Sequence, residues 1–312
     1  RTVDQMCSTL TATVRLSRKE SQSQLTTLQK DWNLIRYMKR SLRLVGTIAL
    51  LLAMYYLLQV LFIIVAEAVA FGIAVSVGDV PKEAIKLINN AQYLKENPVV
   101  ASYVVDAQAW GLFLSSLSML LFIHFAGFFK LRKELLHSIA PRPLLISTLL
   151  VFTAMFALNI FVQWFPLENN MSDTFLGLSQ NSVGIMGLAF FGPLLEEVLF
   201  RGAIQGLLMR FFGRPWPAII VAALVFGIFH LNPVQIVYAT LLGIVLGWIY
   251  YRTGSLLSVI VGHVLNNSLA VATTALWGAA EEEAVANSPV GVAGFVMFAA
   301  LSVFLAVKLN KE

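Results

Sequence analysis

Cysteine is almost absent. Cys7 is the single thiol in 312 residues, and it lies in a polar segment. Neither a disulfide framework nor a Cys-based zinc site can be built from it. Charge is scarce too: 12% of the residues are Asp, Glu, Lys or Arg, against about 25% in an ordinary soluble domain. The zincin pattern H-E-x-x-H is missing, and neither "GTIAL" nor "GLSQN" has the elbow that presents a nucleophilic serine. No internal repeat or low-complexity linker stands out.

What the chain has in abundance is apolar length. Hydrophobic residues make up 58% of it, in recurring runs of about 20, each able to cross a ~30 Å hydrocarbon core as a helix. The composition predicts an all-α protein, a polytopic membrane helix bundle of about eight transmembrane helices. These fall near 44–74, 104–128, 144–165, 182–209, 215–230, 233–251, 255–277 and 289–308. A short interfacial helix is expected in the polar connection around "PKEAIKLINNAQYLKE". Residues 1–37 are rich in Ser, Thr, Gln and mixed charge. They read as a polar, disordered tail, or as a non-native extension upstream of a start at Met38.

The net charge of +5 does not point to nucleic acid, because the basic residues gather at the ends of apolar segments. Arg36, Lys39, Arg40 and Arg43 precede the first run, and Lys130, Arg132, Lys133 and Arg142 separate the second and third. Arg210, Arg214, Arg252, Lys308 and Lys311 follow on the same side of an eight-span layout. Glu168, Asp173 and Glu281 to Glu283 fall opposite. The positive-inside rule then puts both termini in the cytoplasm. The short loops read as bacterial, so the expected location is an inner (plasma) membrane.

Few strongly polar groups remain at membrane depth: Glu196, Glu197 and Arg201 on the fourth helix, His230 ending the fifth, and His263, Asn266 and Asn267 on the seventh. A buried charge costs roughly 2.5–3.5 kcal/mol on insertion scales, so such groups face the bundle interior and partner one another. Residues four apart share a helix face. Glu197 and Arg201 can therefore form an ion pair and His263 and Asn267 share a face, while Glu196 points away from Arg201.

Each group has a plain structural reading. A buried Glu–Arg pair can simply join helices, a lone membrane His is more often a helix-to-helix hydrogen bond, and interfacial Asn is common glue. The whole set is harder to explain that way. A Glu and a His converging on water can deprotonate it, and a second His with an Asn one turn on can donate to a developing oxyanion. The same Glu and two His could instead hold zinc at an open site.

The segments "EEVLFRG", "FGIFH" and "HVLNN" fit, in order, the signatures E-E-x-x-x-R, F-x-x-x-H and H-x-x-x-N. Together they resemble the CPBP family of CAAX proteases and bacteriocin-processing (Abi) membrane proteins. The resemblance implies a membrane-embedded protease domain over 38–312, with its motif core at 180–277. It implies an intramembrane endopeptidase acting on a membrane-associated peptide or protein within the lipid bilayer. Glu196 and His230 would activate water, His263 and Asn267 would stabilise the oxyanion, and Glu197 and Arg201 would support them. Although the family is often labelled a metalloendopeptidase, the resemblance favours a glutamate-dependent enzyme without a cofactor. Zinc held by Glu196, His230 and His263 is the alternative. Two rival readings use the same residues. One is a non-catalytic self-immunity factor or regulatory scaffold. The other is a proton-coupled transporter, which the lack of inverted repeats disfavours.

Overall fold

Proline marks where helices start in this chain. Pro98, Pro141, Pro215, Pro233 and Pro289 each open a helix, where the missing N–H costs nothing because the first-turn donors have no intrahelical partner. The computed structural model describes the backbone of residues 2–128, 140–277 and 286–312, with the side chains of these residues from Trp32 onward except Ala91 and Trp277. Lys130, Arg132 and Lys133, and Glu281 to Glu283, lie outside the described residues.

The helices are α1 (Thr2–Val77), α2 (Ala91–Glu96), α3 (Pro98–Phe125), α4 (Pro141–Gln163), α5 (Ser172–Ser179), α6 (Ser182–Phe212), α7 (Pro215–Phe229), α8 (Pro233–Thr253), α9 (Leu256–Trp277) and α10 (Pro289–Leu309). No strand occurs among the described residues. The chain divides into two compact units. Residues 1–50 are helical from Thr2, and residues 51–312 form the bundle described below.

Seven described helices are long and apolar enough to cross a membrane, so the protein is a multi-pass α-helical bundle. The eighth apolar helix, α7, has 15 residues. At 1.5 Å per residue it rises about 22 Å, short of the ~30 Å hydrocarbon core. Its last residues, and His230 just beyond them, therefore stop within the bilayer if α7 starts at one face.

The polar connection after α1 folds as expected, through a short 3₁₀ turn at Lys82–Leu87 and then α2. Val80 and Ala84 pack with Phe71, Ala74, Val100 and Val104. On another side of the bundle, α4, α8, α9 and α10 share a core of Ile146, Leu150, Val151, Leu242, Leu246, Val259 and Leu305. Basic residues also gather where the sequence pattern expects. Arg142 pairs with Glu312 at 2.9 Å, and Arg252 donates to the Asn310 carbonyl at 2.9 Å. The start of α4 and the ends of α8 and α10 thus lie at one end of the bundle.

The helix that carries the paired glutamates is irregular. Within α6, Gly187–Phe191 and Glu197–Gln205 are π-helical, with an α turn, Gly192–Glu196, between them. Pro193 supplies the cause of the first widening: it offers no N–H and crowds the carbonyl one turn back. Gly192 N–H accordingly bonds back five residues, to the Gly187 carbonyl. Around the second of these segments α6 is largely buried, with Leu195, Val198, Leu199, Phe200, Ala203 and Ile204 fully covered, whereas Phe190 in the first is exposed. A helix apolar all round belongs in a bundle's centre, and short π stretches inside α-helices are frequent at functional sites.

Candidate active site

Glu197 is fully buried and its Oε1 accepts two hydrogen bonds. One comes from Arg201 Nη1 at 2.8 Å, one turn along α6; the other comes from His263 Nδ1 at 2.7 Å, on α9. An ionised carboxylate only accepts, so this contact fixes the proton on Nδ1 of His263 and turns Nε2 outward. Nε2 faces Glu196, whose Oε2 is 3.6 Å away. Arg201 also stacks on the Phe226 ring, 4.4 Å from its centroid. Burying such charges is costly unless they are paired and hydrogen-bonded; Glu197, Arg201 and His263 achieve this only in part, because Glu197 Oε2 and Arg201 Nη2 are buried without a hydrogen-bond partner. The pairing of Glu197 with Arg201, and the separation of Glu196 from both, follow the sequence spacing.

His230 reaches the same neighbourhood differently. It follows the last residue of α7, and its Nδ1 lies 2.9 Å from the Phe226 carbonyl. A carbonyl can only accept, so Nδ1 donates and Nε2 of the neutral ring keeps a lone pair. The ring packs edge-on against Phe226 at 4.9 Å between centroids, and His263 packs edge-on against the same phenyl ring at 6.0 Å. Both histidines thus share one aromatic neighbour, and each presents Nε2 as its free nitrogen. Beyond His230 the chain turns through Leu231, whose φ of 55° is unusual for a residue with a side chain. Backbone strain of this kind costs about 1–3 kcal/mol and tends to persist at functional sites. Ion-pair contact joins Glu196 to His263 and not to His230.

Asn267 sits on α9 one turn beyond His263, yet it partners neither imidazole. Its Nδ2 donates to the Leu188 carbonyl of α6 at 3.1 Å, and its Oδ1 accepts from Asn266 Nδ2 at 2.8 Å. Tyr238 on α8 in turn donates to Asn266 Oδ1 at 2.5 Å.

Tyr238 was not singled out in the sequence, nor was Gln205, a buried residue whose amide donates to the Gly247 carbonyl at 2.9 Å. Tyr56, whose hydroxyl donates to the Phe229 carbonyl at 2.5 Å beside the end of α7, was also missed. None of the three breaks a hydropathy pattern, since Tyr and Gln are tolerated in apolar helices. Only their pairing reveals them.

For zinc, the side chains do not converge. Among the described residues no three His, Cys, Asp or Glu groups come together as a metal-holding set.

No curated protein and no solved structure matches the chain. One family model does, over residues 178–269, from the end of α5 through most of α9, and its description is type II CAAX prenyl endopeptidase Rce1-like. All six residues of the candidate site lie inside that segment. Residues 178–269 of this membrane protein thus match the Rce1-like type II CAAX prenyl endopeptidase family, which is the CPBP (Abi) family.

Proposed function

We propose that the protein is an intramembrane endopeptidase in which Glu196 and His230 activate water while His263 and Asn267 stabilise the oxyanion. The observation that carries this reading is the contact network inside the matched segment. A buried Arg201–Glu197–His263 chain orients the His263 ring, so that Nε2 faces the one carboxylate, Glu196, that Arg201 does not claim.

In this mechanism Glu196 takes a proton from water, assisted by the lone pair on His230 Nε2, as the water oxygen bonds to the scissile carbonyl carbon. The carbonyl oxygen becomes an oxyanion. It accepts from His263 through Nε2 when that nitrogen carries a proton, and from the second Nδ2–H of Asn267, the first being held by Leu188. Glu196 then returns its proton to the amide nitrogen as the C–N bond breaks, which leaves a carboxylic acid and an amine. General acid–base help of this kind contributes about 10²–10⁴-fold, and an oxyanion donor about 10²–10³-fold. Glu197 and Arg201 act by positioning. The substrate is a membrane-associated peptide or protein, no metal takes part, and the basic ends of the helices lie in the cytoplasm.

The test uses purified protein in liposomes with two fluorescence-quenched probes, a farnesylated peptide ending C-A-A-X and an unprenylated transmembrane peptide. Wild-type protein should cleave at least one, Glu196→Gln and His230→Ala should cleave neither, and all three should share one melting temperature. Undiminished cleavage by Glu196→Gln overturns the reading. Chelation should leave the rate unchanged; loss of bound zinc together with activity would replace the metal-free mechanism.

A further inference from the structure

The route that fixes Asn267 begins at a proline. In the π register of Gly187–Phe191, the carbonyl of Leu188 would accept from the N–H five residues on, but that residue is Pro193. The N–H four residues on, Gly192, is bonded to Gly187 instead. Leu188 O is thereby left without a backbone donor in the centre of the bundle, where an unpaired carbonyl costs several kcal/mol. Asn267 Nδ2 supplies the donor, at 3.1 Å.

An asparagine amide has two faces of opposite character, and only one orientation does this. Asn266 sets it: its Nδ2 donates to Asn267 Oδ1 at 2.8 Å, which forces Asn267 Nδ2 toward Leu188. Asn266 is set in turn by Tyr238, whose hydroxyl donates to its Oδ1 at 2.5 Å. With every acceptor used once, the amides of both asparagines point one way along the chain Tyr238–Asn266–Asn267–Leu188.

We infer that Tyr238 is a positioning residue, holding the Asn267 amide through Asn266 so that one N–H caps the carbonyl orphaned by Pro193 and the other stays free for the reacting carbonyl. Tyr238 itself touches no reacting atom. Without its hydroxyl, Asn266 can rotate, its Oδ1 then opposes Asn267 Oδ1, and Asn267 loses its fixed orientation. The kinetic consequence rests on the peptidase reading above; the structural one does not.

Two measurements on the full-length protein in liposomes decide it. The first is backbone hydrogen exchange over 187–196. Tyr238→Phe should speed exchange there by about tenfold, the scale of one lost hydrogen bond. In a Pro193→Ala background, residue 193 regains an N–H for Leu188, so the same substitution should change nothing. Unchanged exchange in Tyr238→Phe overturns the inference, as does an equal change in both backgrounds, which would mark Tyr238 as packing only.

The second is kinetics on the farnesylated probe. Tyr238→Phe should lower kcat about tenfold with KM unchanged, and should add no further loss on top of Asn267→Ala. Full kcat in Tyr238→Phe, or losses that multiply, overturns the kinetic role. Should Glu196→Gln keep full activity, or wild-type protein cleave neither probe, the peptidase reading fails alone and hydrogen exchange still decides the relay.

Discussion

The spans Trp32–Val77 and Ser182–Phe212 are both long and apolar, yet 11% of the most apolar stretch is buried in the first and 56% in the second. The first shows Leu57, Val60, Leu61, Ile64 and Val65 on its exposed surface, and its one acidic side chain within the run, Glu67, is half-buried. The second covers Leu195, Val198, Leu199, Phe200 and Ile204 and encloses Glu197 and Arg201. Mean hydropathy passes both as membrane spans, at 2.6 and 1.7, because lipid and protein interior are similarly apolar solvents. Which helix carries chemistry is decided by whether its polar groups have protein partners at depth.

That contrast breaks most readily at the two glutamates. Glu196→Gln keeps the shape and removes the carboxylate proposed as the base, so cleavage of the farnesylated probe should fall by at least about 10²-fold. Glu67→Gln makes the same chemical change on the outer helix and should leave cleavage within about twofold. Equal losses from both would mean that an intramembrane carboxylate anywhere in the bundle matters, and the assignment of function to α6 would fall.

Next in size is the buried ion pair. Arg201→Met leaves Glu197 with His263 alone and strips the cation from the Phe226 face; losing one partner of a buried pair costs about 3–5 kcal/mol. The melting temperature in detergent should drop sharply. Adding Glu197→Gln removes the uncompensated charge and should recover part of the loss. If the double variant is no better than the single one, Arg201 stabilises through packing and the ion pair is incidental.

Much of this centre was legible in the sequence, and the physical reasons are specific. Charges in an apolar run stand out, and a spacing of four correctly paired Glu197 with Arg201, because one helix turn still brings such residues together in the π segment. Helix starts were legible through proline. The widening of α6 was not, because a helix-wheel reading assumes α geometry throughout, and Pro193 announces a disturbance without saying how the backbone absorbs it. His263 and Asn267 share a face as their spacing implies, but their partners differ: His263 Nδ1 turns to Glu197 and Asn267 Nδ2 to a backbone carbonyl of α6. A carbonyl has no letter of its own in the sequence, so that partner could not be foreseen. The brevity of α7 was hidden too, since α7 and α8 form nearly one apolar run broken by "HLNP".

The smallest expected effects come from adding one methyl group in the two regions. At Gly227, near the end of α7, a Cβ would lie 1.9 Å from Thr240 Oγ1 and 2.6 Å from the Ile236 carbonyl. The hydroxyl could rotate away, but a backbone carbonyl inside α8 cannot, so Gly227→Ala must push α7 off α8. Overpacking of this kind costs about 1–3 kcal/mol. His230 lies three residues further on, and a shift of about 1 Å in such a group can cost 10²-fold in rate. Thr240→Ala should therefore rescue little, because it leaves the carbonyl in place. At Gly72, on the exposed side of α1, a Cβ would meet nothing within 4 Å. Gly72→Ala should then stabilise by about 0.5–1 kcal/mol, through the helix preference of alanine alone, and leave cleavage untouched. Two melting curves with shifts of the same sign would mean that close approach of α7 and α8 does not hold His230 in place.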